Sequence, residues 1–161
     1  MNPIWSPWRM NYIMNHERAA DCIFCKALTG PDEPDNLVVY RGESAFVILN
    51  RYPYTSGHVM VVPVQHTDAL EVLPTLARSE IMELASQSVK VLRQLYGPDG
   101  FNVGANLGAA AGAGIADHLH LHVVPRWSGD TNFMVIVANR RVLPESLEDS
   151  YQRIHTTWVR C

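Results

Sequence analysis

Three histidines at alternating positions, His118, His120 and His122, constrain this chain more than any other feature. Leucines separate them and valines follow, a pattern that predicts a strand over 119–125. Successive side chains of a strand point to opposite faces, so the imidazoles would share one face while the leucines pack into the core. At about 3.3 Å per residue, neighbouring histidines would stand roughly 6–7 Å apart, which lets at most two of them reach one metal ion.

This histidine row suits an anionic substrate better than it suits a single metal centre. One imidazole can attack the substrate while its neighbours contact the substrate's charged oxygens. Two alternatives are a solvated polar face and a pair of metal ligands. The chain contains seven histidines in all, so three within five residues argue against an ordinary solvated face.

The remaining sequence predicts an α+β fold, because several strands alternate with one long helix. Apolar residues at helical spacing predict a helix that begins at Ser79 and Glu80 and ends before Gly97, and a short helix is predicted over 144–154. Further strands are predicted at 36–40, 45–50, 58–64 and 101–106. The length of 161 residues fits one domain, 1–161, with an N-terminal arm at 1–20 and a C-terminal tail at 140–161.

Composition excludes several classes of function. Thirteen Lys and Arg against sixteen Asp and Glu give a net charge of −3, which argues against non-specific nucleic-acid binding. No apolar run approaches the roughly 18–20 residues that span a bilayer, so no membrane association is expected. Three cysteines are too few for a disulfide framework, which predicts a cytoplasmic protein.

The segment H-L-H-L-H-V-V at 118–124 resembles the signature of the histidine triad superfamily of nucleotidyl hydrolases and transferases. The segments N-R-Y-P at 50–53, G-H-V-M-V-V-P at 57–63 and N-L-G at 106–108 are similar to its other characteristic stretches. The resemblance implies a five-stranded antiparallel sheet with one long helix and short flanking helices. It also implies a homodimer with a continuous sheet.

Within the superfamily, the flanks are most similar to bacterial diadenosine tetraphosphate phosphorylases. The similar pieces are W-S-P-W-R-M at 5–10, A-A-A-G-A-G-I-A-D at 109–117, P-R-W at 125–127 and D-T-N-F at 130–133. One departure is Gly114, which stands where the superfamily commonly has Gln and this branch sometimes has Ser. A side-chain contact to the transferred phosphate would then be replaced by backbone N–H groups.

The resemblance implies a covalent mechanism. His120 would attack the α-phosphate and form a nucleotidyl-histidine, while a backbone carbonyl holds its other ring nitrogen. His122 and His58 would donate to phosphate oxygens. With inorganic phosphate as acceptor, diadenosine tetraphosphate would yield ADP and ATP; with water, it would yield AMP and ATP.

Five further positions are candidates for substrate binding. Asn50 matches the residue that holds the ribose hydroxyls in the family. The Gly/Ala segment from Gly104 to Gly114 could bring backbone N–H groups close to an anion, although turn-forming glycines are an alternative explanation. Trp127 could stack on a base, close the pocket or pack in the core. The candidate set is therefore Asn50, Asn106, Gly112, Gly114 and Trp127.

A metal site is predicted at Cys22 and Cys25, whose spacing suits two zinc ligands, although redox or chance explanations fit one such pair equally. Some members of the superfamily complete such a pair with histidines that correspond to His66 and His118. A closed Cys₂His₂ shell would make the zinc structural. Magnesium could accompany the substrate, but no carboxylate cluster marks a dedicated site.

Two other functions remain open at this stage. A hydrolase, either an adenylyl hydrolase or a nucleoside phosphoramidase, would share the intermediate and differ in acceptor and leaving group. A non-catalytic, zinc-stabilised interaction module that binds nucleotides would have no need of a nucleophile in the histidine strand.

Overall fold

The computed structural model describes residues 22–130 and 144–160, and an antiparallel sheet of five strands forms its centre. The strands lie in the order β1-β2-β3-β5-β4. Their bounds are Val38–Arg41 for β1, Ala45–Leu49 for β2, Val59–Pro63 for β3, Gly100–Gly104 for β4 and Leu121–Arg126 for β5. The predicted α+β architecture with a five-stranded antiparallel sheet is therefore confirmed.

Three α-helices accompany the sheet in the described ranges: α1 (Ile23–Thr29), α2 (Thr75–Tyr96) and α3 (Leu147–Arg160). The long α2 and the short flanking helices agree with the predicted arrangement. None of the helices in residues 22–130 and 144–160 is long and apolar enough to cross a membrane. The predicted arm at 1–20 and the first residues of the predicted tail lie outside the described residues.

Helix α2 begins at Thr75, one turn before the predicted start at Ser79 and Glu80. Pro74 occupies the position before the first turn, where its missing N–H costs nothing because that donor would have no partner within the helix. Glu80 has another role: its carboxylate accepts hydrogen bonds from the backbone N–H groups of Glu43 and Ser44, at 2.8 and 2.6 Å. The predicted end is correct, since Gly97 closes the helix in the left-handed conformation at φ 53°.

Strand β5 begins at Leu121, so His118 and His120 precede the paired part of the strand that was predicted to start at residue 119. The cause lies in the hydrogen bonding: the N–H of Leu119 donates to the carbonyl of Thr67, at 2.7 Å, outside the β3–β5 pairing. Strand β4 ends at Gly104, two residues before the predicted end, because Gly104 is the last residue that pairs with β5.

The register assigns the two faces of the sheet. Met60 of β3 lies opposite His122 of β5, so these side chains share one face, and Val59 and Val123 share the other. The guanidinium of Arg93 in α2 lies 5.7 Å from the ring centre of Phe101, a residue on the Val123 face. Helix α2 therefore covers the face opposite His122.

The short helix α1 packs beside the histidine segment through Phe24, a fully buried residue. The Phe24 ring lies 5.4 Å from the ring of His118 and 5.2 Å from that of His120, centre to centre. The face away from α2 thus carries the histidines, and α1 shields one end of it from solvent.

Candidate active site and metal cluster

His120 is held by a main-chain carbonyl. Its Nδ1 lies 2.8 Å from the carbonyl oxygen of His118, and its side chain is buried. A carbonyl oxygen can only accept a hydrogen bond, so Nδ1 carries the proton and donates it. The lone pair of His120 is therefore on Nε2, the atom available for attack on a phosphorus. The sequence led us to expect such a carbonyl.

His122 and His58 form a second unit next to His120. The rings of His120 and His122 meet edge to face, with centres 4.9 Å apart. Nδ1 of His122 lies 2.9 Å from Nε2 of His58. The side chain of His58 is fully buried, and its Nδ1 accepts a hydrogen bond from the backbone N–H of Tyr54 at 3.1 Å. His58 would therefore act on a bound phosphate through His122.

Burial disfavours the charged forms of His120 and His122. It lowers the pKa of His120 below its usual value, against the opposing effect of the carbonyl of His118. The pKa of His122 falls to about 4, first because of burial and then because of the neighbouring His120. At neutral pH, the imidazole of His120 is thus unprotonated at Nε2, and His122 is an uncharged hydrogen-bond donor or acceptor.

The four predicted metal ligands come together in space. Cys22 immediately precedes α1 and Cys25 lies in its first turn, while His66 follows β3. Sγ of Cys22 lies 3.2 Å from Nδ1 of His118, and Sγ of Cys25 lies 3.4 Å from Nδ1 of His66. All four ligand atoms lie within 4.8 Å of one another.

These separations fit a tetrahedral zinc ion. With Zn–S near 2.3 Å and Zn–N near 2.0–2.1 Å, neighbouring ligand atoms would be about 3.3–3.8 Å apart. A Cys₂His₂ donor set also matches the preference of zinc for thiolate and imidazole. The cluster could therefore hold zinc with no large movement of its ligands.

His118 links the metal cluster to the candidate nucleophile. Its Nε2 lies 2.9 Å from the carbonyl oxygen of Pro63, so Nε2 carries the proton and Nδ1 presents its lone pair to the cluster. The main-chain carbonyl of the same residue accepts a hydrogen bond from Nδ1–H of His120. His118 thus contacts the cluster through its side chain and His120 through its backbone.

Asn50 lies at the end of β2, beside His58. Its backbone N–H donates to the carbonyl of His58 at 3.0 Å, and its side-chain oxygen accepts from the N–H of Tyr52 at 2.9 Å. The amide is half-buried. Its place beside the histidines is compatible with the predicted contact to a ribose.

The Gly/Ala segment forms a short 3-10 turn at Ala109–Ala111, bounded by glycines in conformations that favour residues without a side chain. Gly108 has φ 80° and Gly112 has φ 90°. The side-chain N–H of Asn106 donates to the carbonyl of Gly112 at 3.3 Å, so Asn106 ties the segment to itself. Gly114 is exposed. Contact with a phosphate stays a prediction for this segment.

Trp127 follows β5 and is half-buried. It lines a cleft of about 780 Å³ together with Tyr54, Tyr96 and Glu145. The phenol of Tyr96 donates to the carboxylate of Glu145 at 2.6 Å. The tryptophan therefore faces open space, which leaves it available to a base, rather than the hydrophobic core.

The sequence did not point to Tyr54 or to Phe24. Tyr54 lies in a loop, where an aromatic residue carries no periodic signal, and its hydrogen bond to His58 comes from the backbone N–H, which no side-chain pattern reveals. Phe24 lies between the two cysteines that attracted attention as metal ligands. Its apolar neighbours in α1 could have indicated a buried helix face.

Comparisons with known proteins show the family to which the chain is similar. The family model for the HIT domain matches residues 32–129. An AP-4-A phosphorylase from Mycobacterium tuberculosis is 39% identical over 164 residues, which is 98% of this chain and 84% of that protein. An adenylylsulfatase from Arabidopsis thaliana is 33% identical over 110 residues, covering 68% of this chain and 54% of that protein.

Solved structures share the fold. A zinc-bound histidine triad family protein from Mycobacterium smegmatis superposes with a TM-score of 0.69 at 30% identity, covering 87% of this chain and 94% of that one. A histidine triad nucleotide-binding protein from Sulfolobus tokodaii gives a TM-score of 0.68 at 23% identity, covering 86% and 93%. The second likeness supports the fold alone.

Proposed function

The chain belongs to the histidine triad (HIT) family, and we propose that it is a nucleotidyl transferase that phosphorolyses dinucleoside polyphosphates. The observation that carries this proposal is the protonation state of His120. Its imidazole is neutral, Nδ1–H donates a hydrogen bond to the carbonyl of His118, and the lone pair on Nε2 is available. The 39% identity to an AP-4-A phosphorylase over nearly the whole chain supports diadenosine tetraphosphate and inorganic phosphate as substrates.

The reaction proceeds in two displacements at one phosphorus. Nε2 of His120 forms a bond to the α-phosphorus, the bond from phosphorus to the bridging oxygen breaks, and ATP leaves with that electron pair. An oxygen of inorganic phosphate then attacks, the P–N bond breaks and ADP leaves. Between these steps the imidazole is positively charged, and the carbonyl of His118 stabilises it by accepting a hydrogen bond from Nδ1–H.

The neighbouring residues bind and orient the substrate in this proposal. His122 donates a hydrogen bond to a phosphate oxygen that gains charge in the transition state, and His58 holds His122 in place. Asn50 binds the ribose and Trp127 stacks on a base. Backbone N–H groups of the Gly/Ala segment at Asn106, Gly112 and Gly114 approach the phosphates.

We propose that Cys22, Cys25, His66 and His118 hold a structural zinc ion. Bound there, zinc would fix the position of His118 and stabilise the junction between α1 and the histidine segment. Of the described residues, only this cluster combines three or more ligand groups, so magnesium would arrive with the phosphates of the substrate.

In this proposal the protein binds nucleotide and inorganic phosphate, it is located in the cytoplasm, and it assembles as a homodimer.

A hydrolase that passes the nucleotidyl group to water is the second candidate. The 33% identical relative named an adenylylsulfatase supports this alternative, because that name describes hydrolysis of an adenylyl compound rather than phosphorolysis. The two candidates differ in the acceptor and share the attack by His120. An interaction module without catalysis leaves the reactive state of His120 unexplained.

Product analysis separates these candidates. Diadenosine tetraphosphate is incubated with the protein, with and without inorganic phosphate, and the nucleotides are separated by chromatography. We expect ADP and ATP, formed only when phosphate is present. AMP and ATP in both conditions would identify a hydrolase, and no cleavage of dinucleotides or phosphoramidates would favour the interaction module.

A further inference from the structure

We infer that the backbone N–H of Tyr54 fixes the tautomers of His58 and His122, which makes Tyr54 a positioning residue for the transfer reaction. The catalytic consequence rests on the proposed nucleotidyl transfer. The tautomers themselves are a property of the substrate-free protein and can be measured without any substrate.

The first link is the hydrogen bond from Tyr54 to His58. The backbone nitrogen of Tyr54 lies 3.1 Å from Nδ1 of His58. An amide N–H can only donate, so Nδ1 must accept and cannot carry a proton. The proton of the neutral His58 ring is therefore on Nε2. Because the side chain of His58 is fully buried, bulk water cannot offer the other tautomer an equivalent partner.

The second hydrogen bond, between His58 and His122, makes the tautomer of His122 depend on that of His58. Nε2 of His58 lies 2.9 Å from Nδ1 of His122. Since Nε2 of His58 carries the proton and donates, Nδ1 of His122 must accept this hydrogen bond and carries no proton. The proton of the neutral His122 ring is therefore on Nε2. His122 can then donate from Nε2 to a phosphate oxygen while it remains uncharged. The opposite tautomer of His58 would leave two donors facing each other at Tyr54.

Hydrogen bonds and ring packing in the loop around Tyr54 hold its backbone N–H in place. The hydroxyl of Thr55 donates to the carbonyl of Pro125 at 2.8 Å, which ties the loop to β5. The N–H of His58 donates back to the carbonyl of Thr55 at 3.2 Å. The Tyr54 ring packs on His58, with ring centres 4.7 Å apart. These contacts fix the direction of the Tyr54 amide relative to the imidazole.

The low pKa of His122, about 4, agrees with this relay. A protonated His122 would present an N–H at Nδ1 to the N–H at Nε2 of His58, so protonation would break the hydrogen bond between them. Burial and His120 oppose the charge further. A neutral donor is sufficient here because the departing ATP is a stable anion and needs no proton.

The tautomers can be read directly by nitrogen NMR of histidine-labelled protein near neutral pH. We expect the proton on Nε2 in both His58 and His122. To remove only the donor, Tyr54 is replaced by its α-hydroxy acid analogue, which turns the amide between Pro53 and Tyr54 into an ester. We expect the His58 signal to become a mixture of tautomers and kcat to fall about ten- to a hundredfold, with little change in KM.

The matched control is Tyr54→Phe, which retains the N–H and the ring and should retain both tautomers. A wild-type protein with the His58 proton on Nδ1 would overturn the assignment, as would an ester variant with unchanged tautomers and unchanged kcat. A protein with the expected tautomers but no turnover of dinucleotides would overturn the proposed function and leave the positioning role of Tyr54 intact.

Discussion

At the scale of single residues, proton placement is controlled by the backbone. The carbonyls of His118 and Pro63 and the N–H of Tyr54 each hold one imidazole nitrogen. Backbone groups have a fixed donor or acceptor character, whereas a histidine partner can exchange its roles. The candidate site therefore has defined tautomers before any substrate binds.

Protonation of His122 should make the stability of the protein depend on pH. The pKa of His122 is about 4 in the folded protein, against about 6.5 in an unfolded chain. Between these values the unfolded chain binds the extra proton, so stability is complete above about pH 6.5 and is lost as the pH falls toward 4. From near pH 7.5 to near pH 5 the loss from this residue is up to about 2 kcal/mol.

Denaturant unfolding of the wild type and of His122→Gln at both pH values isolates this contribution. Glutamine does not titrate, so the variant should lose less stability than the wild type over the same interval, and the difference measures the contribution of His122. Equal losses in the two proteins would contradict the account of its pKa.

The sequence predicted the histidines of the candidate site but not all of their hydrogen-bond partners. Alternation identified His118, His120 and His122 because a two-residue period is visible in any strand. It could not identify Tyr54, whose contribution is a backbone N–H that every residue except proline has. The same limit applies to Pro63, which contributes only its carbonyl.

At the scale of elements, the metal cluster joins three separate parts of the chain. Helix α1 carries Cys25, the segment after β3 carries His66, and the residue three positions before β5 is His118. Each part is short, and α1 has only seven residues. A helix of that length is marginal without tertiary contacts. The buried Phe24, the side chains of Asn36 and Arg41, which donate to carbonyls at its C-terminal end, and the Cys/His cluster supply such contacts.

Zinc content and stability should therefore change together. We expect about one zinc ion per chain in the wild type and none in Cys25→Ser. Loss of the ion should lower the free energy of unfolding by about 4 kcal/mol when free zinc exceeds its Kd about a thousandfold. Elemental analysis and thermal unfolding measure the two quantities. The control Cys161→Ser should retain both, and a metal-free wild type of unchanged stability would contradict the proposed site.

The boundaries of elements show where sequence patterns reach their limit. The end of α2 was predicted correctly because Gly97 adopts a conformation that most residues avoid. Its start was placed too late because Ser79 and Glu80 look like a helix N-terminus, whereas Glu80 binds the turn between β1 and β2. Such a long-range contact leaves no trace in local sequence.

At the scale of the whole molecule, the sheet of the described ranges ends in two edge strands, β1 and β4. Strand β4 pairs with β5 on one side only. Val103 in β4 is 48% exposed, and the nearby Leu107 is equally exposed. An exposed, apolar edge strand is suited to pairing with another chain. This edge is where the proposed homodimer would continue the sheet.

A charge at this edge should weaken the dimer. We expect Val103→Lys to shift the protein toward monomer, because a lysine at an edge strand opposes pairing. Sedimentation velocity over a range of concentrations measures the shift, which should be at least about tenfold in Kd. Val159→Lys, in the exposed part of α3, is the matched control and should dimerise like the wild type. An unaffected Val103→Lys dimer would place the interface elsewhere.

If His120 carries the nucleotidyl group, intact-protein mass spectrometry will detect the covalent intermediate. The protein is mixed with diadenosine tetraphosphate without inorganic phosphate, quenched rapidly and weighed. We expect a mass increase of one adenylyl group, located on His120 by peptide mapping, removed by added phosphate and absent from His120→Asn. Turnover without an adduct, or an adduct that persists in His120→Asn, would contradict this role of His120.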